Sequence, residues 1–353
     1  MQPLSIQAGP AALTHLRDHG FRGSDVRAMA GASGGAKWLV LAGIDKVLIE
    51  HLLPTLTAPV HLLGSSIGSW RFACYAQAKP RAALARLEQA YVEQTYSEKP
   101  DRHEISTVGR DMLAHIIGDA GAAEIVANPT LRTHIMAVRA RHLCASERAP
   151  VLLTGLTAAM LANLARRRAL GWFFERALVH DTRTRPPFLG VDDFPIQRIA
   201  LQAANVIPAV QASGAIPMVL NGVSPLPGAK PGVYRDGGII DYHFDLPLSC
   251  DSGLTLYPHF YEHLTPGWFD KRLTRRRPTP EHLDRVILIA PSKEFVAQLP
   301  FGKIPDRNDF KALDTETRLR YWRKVLSESD RLGEALLRWM QSDDPGSQCR
   351  PLA

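Results

Sequence analysis

A serine lies between two glycines in the stretch GSSIGS at residues 64–69. Gly64 and Gly68 stand two positions before and two positions after Ser66, which is the G-x-S-x-G spacing of a nucleophile elbow. An apolar run precedes this turn and a helical pattern follows it, so the turn would hold Ser66 at a helix N-terminus. The pattern predicts a serine nucleophile, and the alternative is an ordinary glycine and serine turn at the surface.

A second glycine-rich turn, GASGGAKW, occupies residues 31–38. Its small residues could let backbone N–H groups at a helix start point at a developing negative oxygen, as in an oxyanion hole. It could instead serve only the passage from a strand to a helix. A phosphate-binding loop fits poorly, because Ala36 and Trp38 replace the second glycine and the Ser/Thr that this motif requires.

A base for the serine is suggested by the stretch VYRDGG. Asp236 ends a short predicted strand and precedes Gly237 and Gly238, so its carboxylate could reach the cleft edge that holds Ser66. The alternative is a plain Asp-Gly turn. A Ser–acid–His triad would need one of the downstream histidines, which are His243, His259, His263 and His282.

The elements that must position these turns follow an α/β order. Residues 25–54 and 59–80 each show the order strand, glycine turn and helix, which predicts a mostly parallel sheet with crossover helices. We expect one domain over residues 1–353, because no repeat and no long linker interrupts it. Segments outside the motifs are expected to be a mostly helical insertion or cap at 81–195, helical pieces punctuated by prolines at 194–217, a strand within 284–292 and a helical C-terminal segment at 300–345. Within 81–195 we also expect a half-buried strand at 131–143 and a helix running into a strand at 156–178.

The composition restricts the partners. The chain of 353 residues has a formal net charge of +7 and a pI near 9.3, which fits an anionic partner without selecting one. The basic stretch KRLTRRRP at 271–278 has no interleaved aromatic residue, so nucleic acid is not expected. The stretch ARRRALGWFFERAL at 165–178 could contact an anionic membrane transiently. The alternative there is a solvated arginine face over an aromatic core.

The cysteines and the termini bear on the compartment. Four scattered cysteines form no C-x-x-C pair, which is typical of a reducing compartment. The first residues show no signal-peptide pattern, and no segment has the length and apolarity of a membrane span. From the sequence we expect a cytoplasmic protein that could act at the periphery of a membrane.

A zinc protease is a rival interpretation, because HFYEH at 259–263 fits H-x-x-E-H. That motif must lie on a helix to place both imidazoles on one face. Pro258 and Pro266 bracket the stretch, and no third ligand is evident.

Taken in order, the three turns resemble the motifs of the patatin-like phospholipases, which are lipid acyl hydrolases with a Ser–Asp dyad. SGGAKW stands at the glycine-rich motif of that family, GSSIGS at its G-x-S-x-G motif and YRDGGIIDYHFDLPL at its D-G-[GA] motif. VQASGAIPMVLNGV is similar to the family's Ala-Ser-x-Ala-Ile-Pro segment. The resemblance covers residues 24–80 and 205–248, and it departs from the family at Ser33 and Trp38.

The resemblance implies a three-layer α/β/α fold, with Ser66 as the nucleophile and Asp236 as its base. It implies an oxyanion hole at Gly34, Gly35 and Ala36, beside a basic residue. The residues that would support these motifs are Lys37, Gly64, Gly68, Gly237 and Gly238. No cofactor and no metal is required.

The implied reaction is the cleavage of an acyl ester or a lipid through an acyl-serine intermediate. A long acyl chain would need an apolar channel, roofed by helices in 81–128 or 156–178 and narrowed by Trp38. The alternative function is a catalytically weak patatin-like module that binds lipid or a protein partner. The sequence leaves the head group, the acyl length and the oligomeric state open.

Overall fold

A computed structural model describes residues 2–249 and 253–352, in which ten strands share one sheet. The strands are β1 (Leu4–Ala8), β2 (Val26–Gly31), β3 (Val60–Ser65), β4 (Leu131–Ala140), β5 (Phe174–His180), β6 (Ile196–Ala200), β7 (Val233–Asp236), β8 (Leu254–Pro258), β9 (Val286–Pro291) and β10 (Arg350–Pro351). Their order across the sheet is β10-β1-β9-β8-β2-β3-β4-β5-β6, and β7 pairs with β4.

Helices flank this sheet. They are α1 (Pro10–His19), α2 (Ala42–Val47), α3 (Ile67–Tyr75), α4 (Pro80–Glu93), α5 (Arg102–Ala127), α6 (Ala149–Ala165), α7 (Ala203–Ser213), α8 (Lys293–Gln298), α9 (Asp309–Ala312) and α10 (Thr315–Met340). A 3₁₀ segment at Gly35–Leu41 joins β2 to α2. The helices of the described ranges include no candidate for a membrane span.

The sheet is mostly parallel, as the order of elements predicted. Parallel pairing joins β2 to β3, β3 to β4, β2 to β8, β8 to β9, β5 to β6 and β1 to β10, whereas the pairs β1–β9, β4–β5 and β4–β7 are antiparallel. The central strands β3 and β4 are buried almost throughout, because helices cover both faces of a parallel sheet. The predicted α/β class with a mostly parallel central sheet is confirmed.

Some elements agree with the sequence-based expectation and others differ from it. Within residues 81–195, β4 and β5 lie where a strand at 131–143 and a helix running into a strand at 156–178 were expected, but both strands belong to the central sheet, whereas this region was expected to be mostly a helical insertion or cap. Strand β6 lies where helical pieces were expected, and β8 lies just before the HFYEH stretch. The segment 300–345 is dominated by α10, which packs against α2.

Two apolar clusters fill the interior. The larger one lies between the sheet and the surrounding helices and includes residues from β1 to α10. The smaller one lies beneath α6 and combines Leu152, Leu156 and Ala159 with Ile239 and Ile240, which follow β7. The inner face of α6 and the segment that follows Asp236 therefore share one apolar cluster.

Candidate active site

The register of three neighbouring strands brings the motifs to one edge of the sheet. Gly31 at the end of β2 pairs with Gly64 near the end of β3, and Ser65 pairs with Met136 of β4. The next residue of β4, Ala137, pairs with Asp236 at the end of β7. Because β7 runs antiparallel to β4, its last residue meets the elbow that follows β3.

Ser66 occupies a strained turn between β3 and α3. Its backbone has φ 54° and ψ −126°, a conformation that costs a non-glycine residue free energy and is typical of a nucleophile elbow. The flanking glycines are required by close contacts: a Cβ atom at Gly68 would lie 1.9 Å from the backbone oxygen of Gly31, and one at Gly64 would lie 2.6 Å from the amide nitrogen of Ser69.

The two predicted catalytic side chains are hydrogen-bonded to each other. Ser66 Oγ donates to Asp236 Oδ2 at 2.8 Å, and the other carboxylate oxygen, Oδ1, accepts from the Gly238 N–H at 2.7 Å. The Asp236 N–H donates to the Ala215 carbonyl at 3.0 Å, which fixes the residue at the strand end. A Cβ atom at Gly237 would lie 2.2 Å from the Met136 carbonyl oxygen, so the turn passes very close to β4.

Burial makes the Asp236 carboxylate more basic than an exposed aspartate. Burial raises the pKa of Asp236 from 3.8 to about 6, while the hydrogen bonds from Ser66 and Gly238 and the charges of Lys271 and Arg307 act in the opposite direction. Only 6% of Ser66 and 7% of Asp236 is exposed. The pair therefore combines direct contact with a carboxylate whose pKa approaches neutrality.

The glycine turn after β2 contacts both the serine turn and the D-G-G turn. Ser33 Oγ donates to Ser65 Oγ at 2.9 Å, and the Ser33 N–H donates to the Tyr242 carbonyl at 3.0 Å. Ser65, beside the elbow serine, is thus part of the support. A Cβ atom at Gly238 would lie 2.6 Å from Ser33 Oγ, so the D-G-G turn and the glycine turn are in contact.

The predicted oxyanion residues begin the 3₁₀ segment. Gly34 precedes it and would clash with the Phe260 ring if it carried a Cβ atom, and Gly35 has φ 56°, which favours glycine. The first N–H groups of a helix have no intrahelical acceptor, so Gly35 and Ala36 begin the segment with amides that its own carbonyls do not use.

Lys37 and Trp38 follow in the same segment. Lys37 Nζ lies 5.9 Å from the centre of the Phe260 ring, and desolvation lowers the pKa of this lysine from 10.5. Trp38 is fully buried and packs edge-on against Tyr91 at 5.7 Å between ring centres. Its indole thus fills the core, although we expected it to narrow an acyl channel.

Ser213 is a supporting residue that the sequence analysis did not single out. Its fully buried hydroxyl accepts the Ser66 N–H at 2.8 Å, donates to the Met136 carbonyl at 2.6 Å and lies 2.9 Å from Ser69 Oγ. It therefore ties α7 to the elbow and to β4 at once. The signal was the Ala-Ser pair at 212–213 in the segment VQASGAIP, which we matched as a block without assigning a role to its serine.

Two cations act on the Asp236 carboxylate, and acidic residues of the segment 306–309 lie near Lys37. Lys271 Nζ lies 4.1 Å from the centre of the Tyr242 ring, and both Lys271 and the exposed Arg307 act electrostatically on Asp236. Desolvation and the neighbouring charges of Lys37 and Arg307 lower the pKa of Lys271 to about 8. Three cations from distant parts of the chain thus share the environment of the dyad.

The histidines considered for a triad have other partners. His243 Nδ1 accepts the Thr265 N–H at 2.9 Å, and burial holds its pKa well below 6.5. His282 Nδ1 is 2.8 Å from Asp245. Ser66 contacts its carboxylate directly, without an intervening imidazole.

The HFYEH stretch lacks the geometry of a zinc protease. Residues 259–263 form an irregular turn after β8, so no helix aligns the two imidazoles. The His259 ring is fully buried, and its Nδ1 accepts the Tyr261 N–H at 3.0 Å. Within the described ranges, no group of three His, Cys, Asp or Glu side chains is arranged to hold a metal ion.

Two surface cavities lie away from the dyad. One, of about 590 Å³, is lined by residues of β1 and the C-terminal segment, including Leu4 and Arg350. The other, of about 740 Å³, lies between Ile49 and Ala85. Neither is lined by Ser66 or Asp236, which agrees with the low exposure of both side chains.

Comparisons with known proteins give distant similarity in structure. No protein-family model matches the sequence, and a search of curated proteins finds no match. The chain is similar to VipD from Legionella pneumophila, with 13% identity over 73% of this chain and 53% of VipD, at a TM-score of 0.30. It is also similar to a chain of the heterodimeric ExoU–SpcU complex from the type III secretion system of Pseudomonas aeruginosa, with 14% identity, 96% of this chain and 53% of that chain covered, and a TM-score of 0.34. This chain spans about half the length of both, and similarity this low does not identify its function.

Proposed function

We propose that this protein is a patatin-like serine lipid acyl hydrolase, of the phospholipase A or esterase type, which cleaves acyl esters through a covalent acyl-serine intermediate. The observation that carries the proposal is the 2.8 Å hydrogen bond from Ser66 Oγ to Asp236 Oδ2, made by an elbow serine with φ 54°. The motif resemblance supports the same assignment from the sequence.

In the first half of the proposed reaction, Asp236 takes the hydroxyl proton as Ser66 Oγ attacks the acyl carbon. The carbonyl π electrons move to oxygen, and the N–H groups of Gly34, Gly35 and Ala36 stabilise the resulting oxyanion. Collapse of this intermediate breaks the ester bond, and the leaving alkoxide receives the proton from Asp236. The acyl group stays on Ser66.

In the second half, Asp236 takes a proton from a water molecule, whose oxygen attacks the acyl-serine carbonyl. The second tetrahedral intermediate collapses to a free carboxylic acid, and Ser66 Oγ recovers its proton from Asp236. Its neutral hydroxyl then donates to the carboxylate again. The direct contact replaces the histidine of a triad, and the pKa of about 6 makes Asp236 a better base than an exposed aspartate.

The charges around the dyad support an anionic head group. Lys37, Lys271 and Arg307 would attract a phosphodiester and would disfavour a cationic substrate. We therefore place phospholipids ahead of neutral esters within the proposed class. The three described cysteines, Cys74, Cys144 and Cys349, are unpaired, which supports a reducing compartment such as the cytoplasm.

Covalent labelling tests the proposal. A fluorophosphonate should label the purified protein at Ser66, and Ser66→Ala should remove the label. Hydrolysis of a panel of acyl esters and phospholipids should be lost in Ser66→Ala and in Asp236→Asn. Ser146→Ala, which changes a serine outside the elbow, is the matched control and should be labelled like the wild type. A folded wild type that is neither labelled nor active would refute the enzyme and favour the binding module.

A further inference from the structure

The outer face of α6 is apolar although it is exposed. The described part of the chain exposes eight large apolar side chains, and six of them belong to residues 143–172. We call these six the α6 surface: Leu143, Leu153, Met160, Leu161, Leu164 and Trp172. On the helix, the spacing of Leu153, Met160, Leu161 and Leu164 places them on one side, together with the exposed Thr157. The buried residues of α6, among them Leu152, Leu156 and Ala159, lie on the adjoining side.

This exposure is unusual for a surface helix. The 17 residues of α6 include no charged side chain, and Leu153 and Leu161 are 55% and 58% exposed. Trp172, at 72%, is the only exposed tryptophan of the six in the chain. A contiguous exposed apolar patch marks a contact surface far more often than a solvated face.

Arginines border the apolar face at the C-terminal end of α6. We call Arg166, Arg168, Arg275 and Arg277 the basic rim, and all four are exposed. The loop that carries two of them is bound to the helix end, since Arg275 Nη2 donates to the Leu164 carbonyl at 3.4 Å and Arg276 Nη2 donates to the Asn163 carbonyl at 2.6 Å.

Acidic residues are missing from this part of the sequence. Residues 148–168 and 271–280 contain no Asp or Glu. The nearby Asp270 is fully buried and is engaged by Asn163 Nδ2 at 2.8 Å and by Arg167 Nε at 3.4 Å. The surface therefore presents apolar side chains with uncompensated positive charge beside them.

We propose that the α6 surface and the basic rim dock on an anionic lipid bilayer. Apolar side chains and a tryptophan insert at the boundary between head groups and acyl chains, and arginines at the same level meet the anionic head groups. A protein partner would have to supply a matching apolar groove and an acidic rim together, whereas an anionic membrane offers both over its whole area.

The helix that carries the docking surface is linked to the segment that follows the D-G-G turn. Ile239 and Ile240, which follow the D-G-G turn, pack in the same cluster as the inner face of α6, and Arg167 Nη2 donates to the Ile240 carbonyl at 2.8 Å. Lys271, at the start of the rim-bearing loop, acts electrostatically on Asp236. The inference deepens the proposed function by naming the surface that carries substrate, but bilayer docking itself does not depend on hydrolysis.

Vesicle flotation tests the docking in a Ser66→Ala background, which prevents lipid turnover. We expect binding to vesicles of phosphatidylcholine with phosphatidylglycerol to exceed binding to phosphatidylcholine alone by about tenfold. Leu153→Gln with Leu161→Gln should weaken anionic-vesicle binding by about tenfold or more, and Arg168→Gln with Arg277→Gln should weaken it by about tenfold. The matched control is Arg320→Gln with Arg338→Gln on α10, which removes two exposed charges elsewhere and should leave binding unchanged.

Trp172 provides a second readout. Its fluorescence should shift to the blue and be quenched by brominated lipid on anionic vesicles, and Trp172→Phe should bind while losing most of the shift. The proposal would be overturned if both double variants bound anionic vesicles as strongly as the Ser66→Ala protein, or if the tryptophan fluorescence did not shift on these vesicles. So would a stable dimer in light scattering that Leu161→Gln dissociates, because the surface would then be covered by a second copy of the chain. These results stand apart from the proposed function, since they require no activity.

Discussion

In the Ser66–Asp236 contact, a hydroxyl group donates a hydrogen bond to a carboxylate. In the proposed reaction, Asp236 can take the proton of Ser66 only when this carboxylate is ionised. The pKa of Asp236, raised by burial to about 6, leaves the carboxylate ionised at neutral pH. We expect kcat/KM for a soluble ester to be level above about pH 7 and to fall about tenfold per unit below about pH 6. This acidic limb of the profile is measured by following kcat/KM for a short-chain ester over a series of pH values.

The positive charge of Lys271 lowers the pKa of Asp236, so its removal should move the acidic limb to higher pH. The comparison variant is Lys271→Gln, with Lys324→Gln on the exposed face of α10 as the control. Asp236 would be contradicted as the titrating base if the acidic limb of the kcat/KM profile had the same midpoint in Lys271→Gln as in the wild type. The same would follow if kcat/KM of the wild type stayed constant down to pH 5.

The same burial should make the active carboxylate costly for stability. The folded-state pKa is raised above the unfolded value, so the favourable contribution is present at low pH and is lost as pH rises through about 6. The shift from 3.8 to about 6 corresponds to about 3 kcal/mol at neutral pH. We expect Asp236→Asn to be inactive and about 1–3 kcal/mol more stable at pH 8, with the gain vanishing near pH 4.

Urea unfolding at pH 8 and at pH 4 provides the measurement. Asn retains an acceptor for the Gly238 N–H and an amide beside Ser66 Oγ, so the charge is the main change. A variant that is less stable than the wild type at both pH values would show that the carboxylate is structurally stabilising.

The elbow is held by an element that lies far away in the sequence. Ser213 at the end of α7 accepts the Ser66 N–H, and Ser213→Ala would leave that buried donor unpaired. We expect a loss of about 1–3 kcal/mol in stability and a drop in kcat of at least about tenfold, because the strained turn would lose its anchor.

Ser329→Ala is the matched control for this element. Ser329 also buries a hydroxyl that accepts a backbone N–H, from Gly43 at 2.9 Å, but it does so between α10 and α2. Its loss should cost comparable stability and leave kcat unchanged. Equal effects of both variants on kcat would mean that Ser213 acts only through global stability.

The sequence predicted the parts of the fold that local chemistry determines. Two successive strand, turn and helix units were recognisable, and the close contacts at Gly64 and Gly68 explain why the elbow motif is visible in the sequence. Strands β1 and β10 were missed, because they are defined by pairing between the two ends of the chain. The roles of Ser213 and Lys271 were also missed, since each depends on a contact between residues that are distant in the sequence.

A buried ion pair anchors the segment that follows Asp236. Arg176 of β5 donates to Asp241 through Nε at 2.7 Å and through Nη2 at 2.9 Å, and both side chains are fully buried. Arg176→Met should cost about 3–5 kcal/mol, because it leaves the Asp241 carboxylate buried without its partner. The free energies of unfolding of the wild type, Arg176→Met, Asp241→Leu and the double variant together form a double-mutant cycle.

The double variant should lose less stability than the sum of the two single variants, since neither fully buried charge of the pair remains. Asp193, which also accepts from Arg176 at 2.6 Å, loses this partner in both variants that lack Arg176, and its 28% exposure lets water solvate it. Additive losses would indicate that the pair has no mutual stabilisation and that the D-G-G segment is fixed by its backbone bonds alone.

Over the whole molecule, the charges, the apolar α6 surface and the dyad are arranged on connected elements. The dyad side chains are almost fully buried, so a substrate needs a path through the residues around them. The inner face of α6 belongs to the same apolar cluster as Ile239 and Ile240, which follow the D-G-G turn, whereas its outer side exposes large apolar side chains. Under the proposed docking, substrate would reach the dyad from a bilayer beside α6.

A change in the α6 surface should therefore slow hydrolysis at a bilayer more than hydrolysis in solution. Leu153→Gln with Leu161→Gln changes only exposed side chains, so hydrolysis of a soluble short-chain ester should stay within about twofold of the wild type. On anionic vesicles the same variant should lose about tenfold to a hundredfold in rate, because each leucine that no longer inserts forfeits roughly 1.5–3 kcal/mol of apolar burial at most. Parallel assays on the ester and on vesicles of phosphatidylcholine with phosphatidylglycerol measure the two rates. Equal losses of rate on both substrates would mean that the two leucines act by stabilising the fold. No loss of rate on vesicles would mean that lipid reaches Ser66 by another face of the molecule.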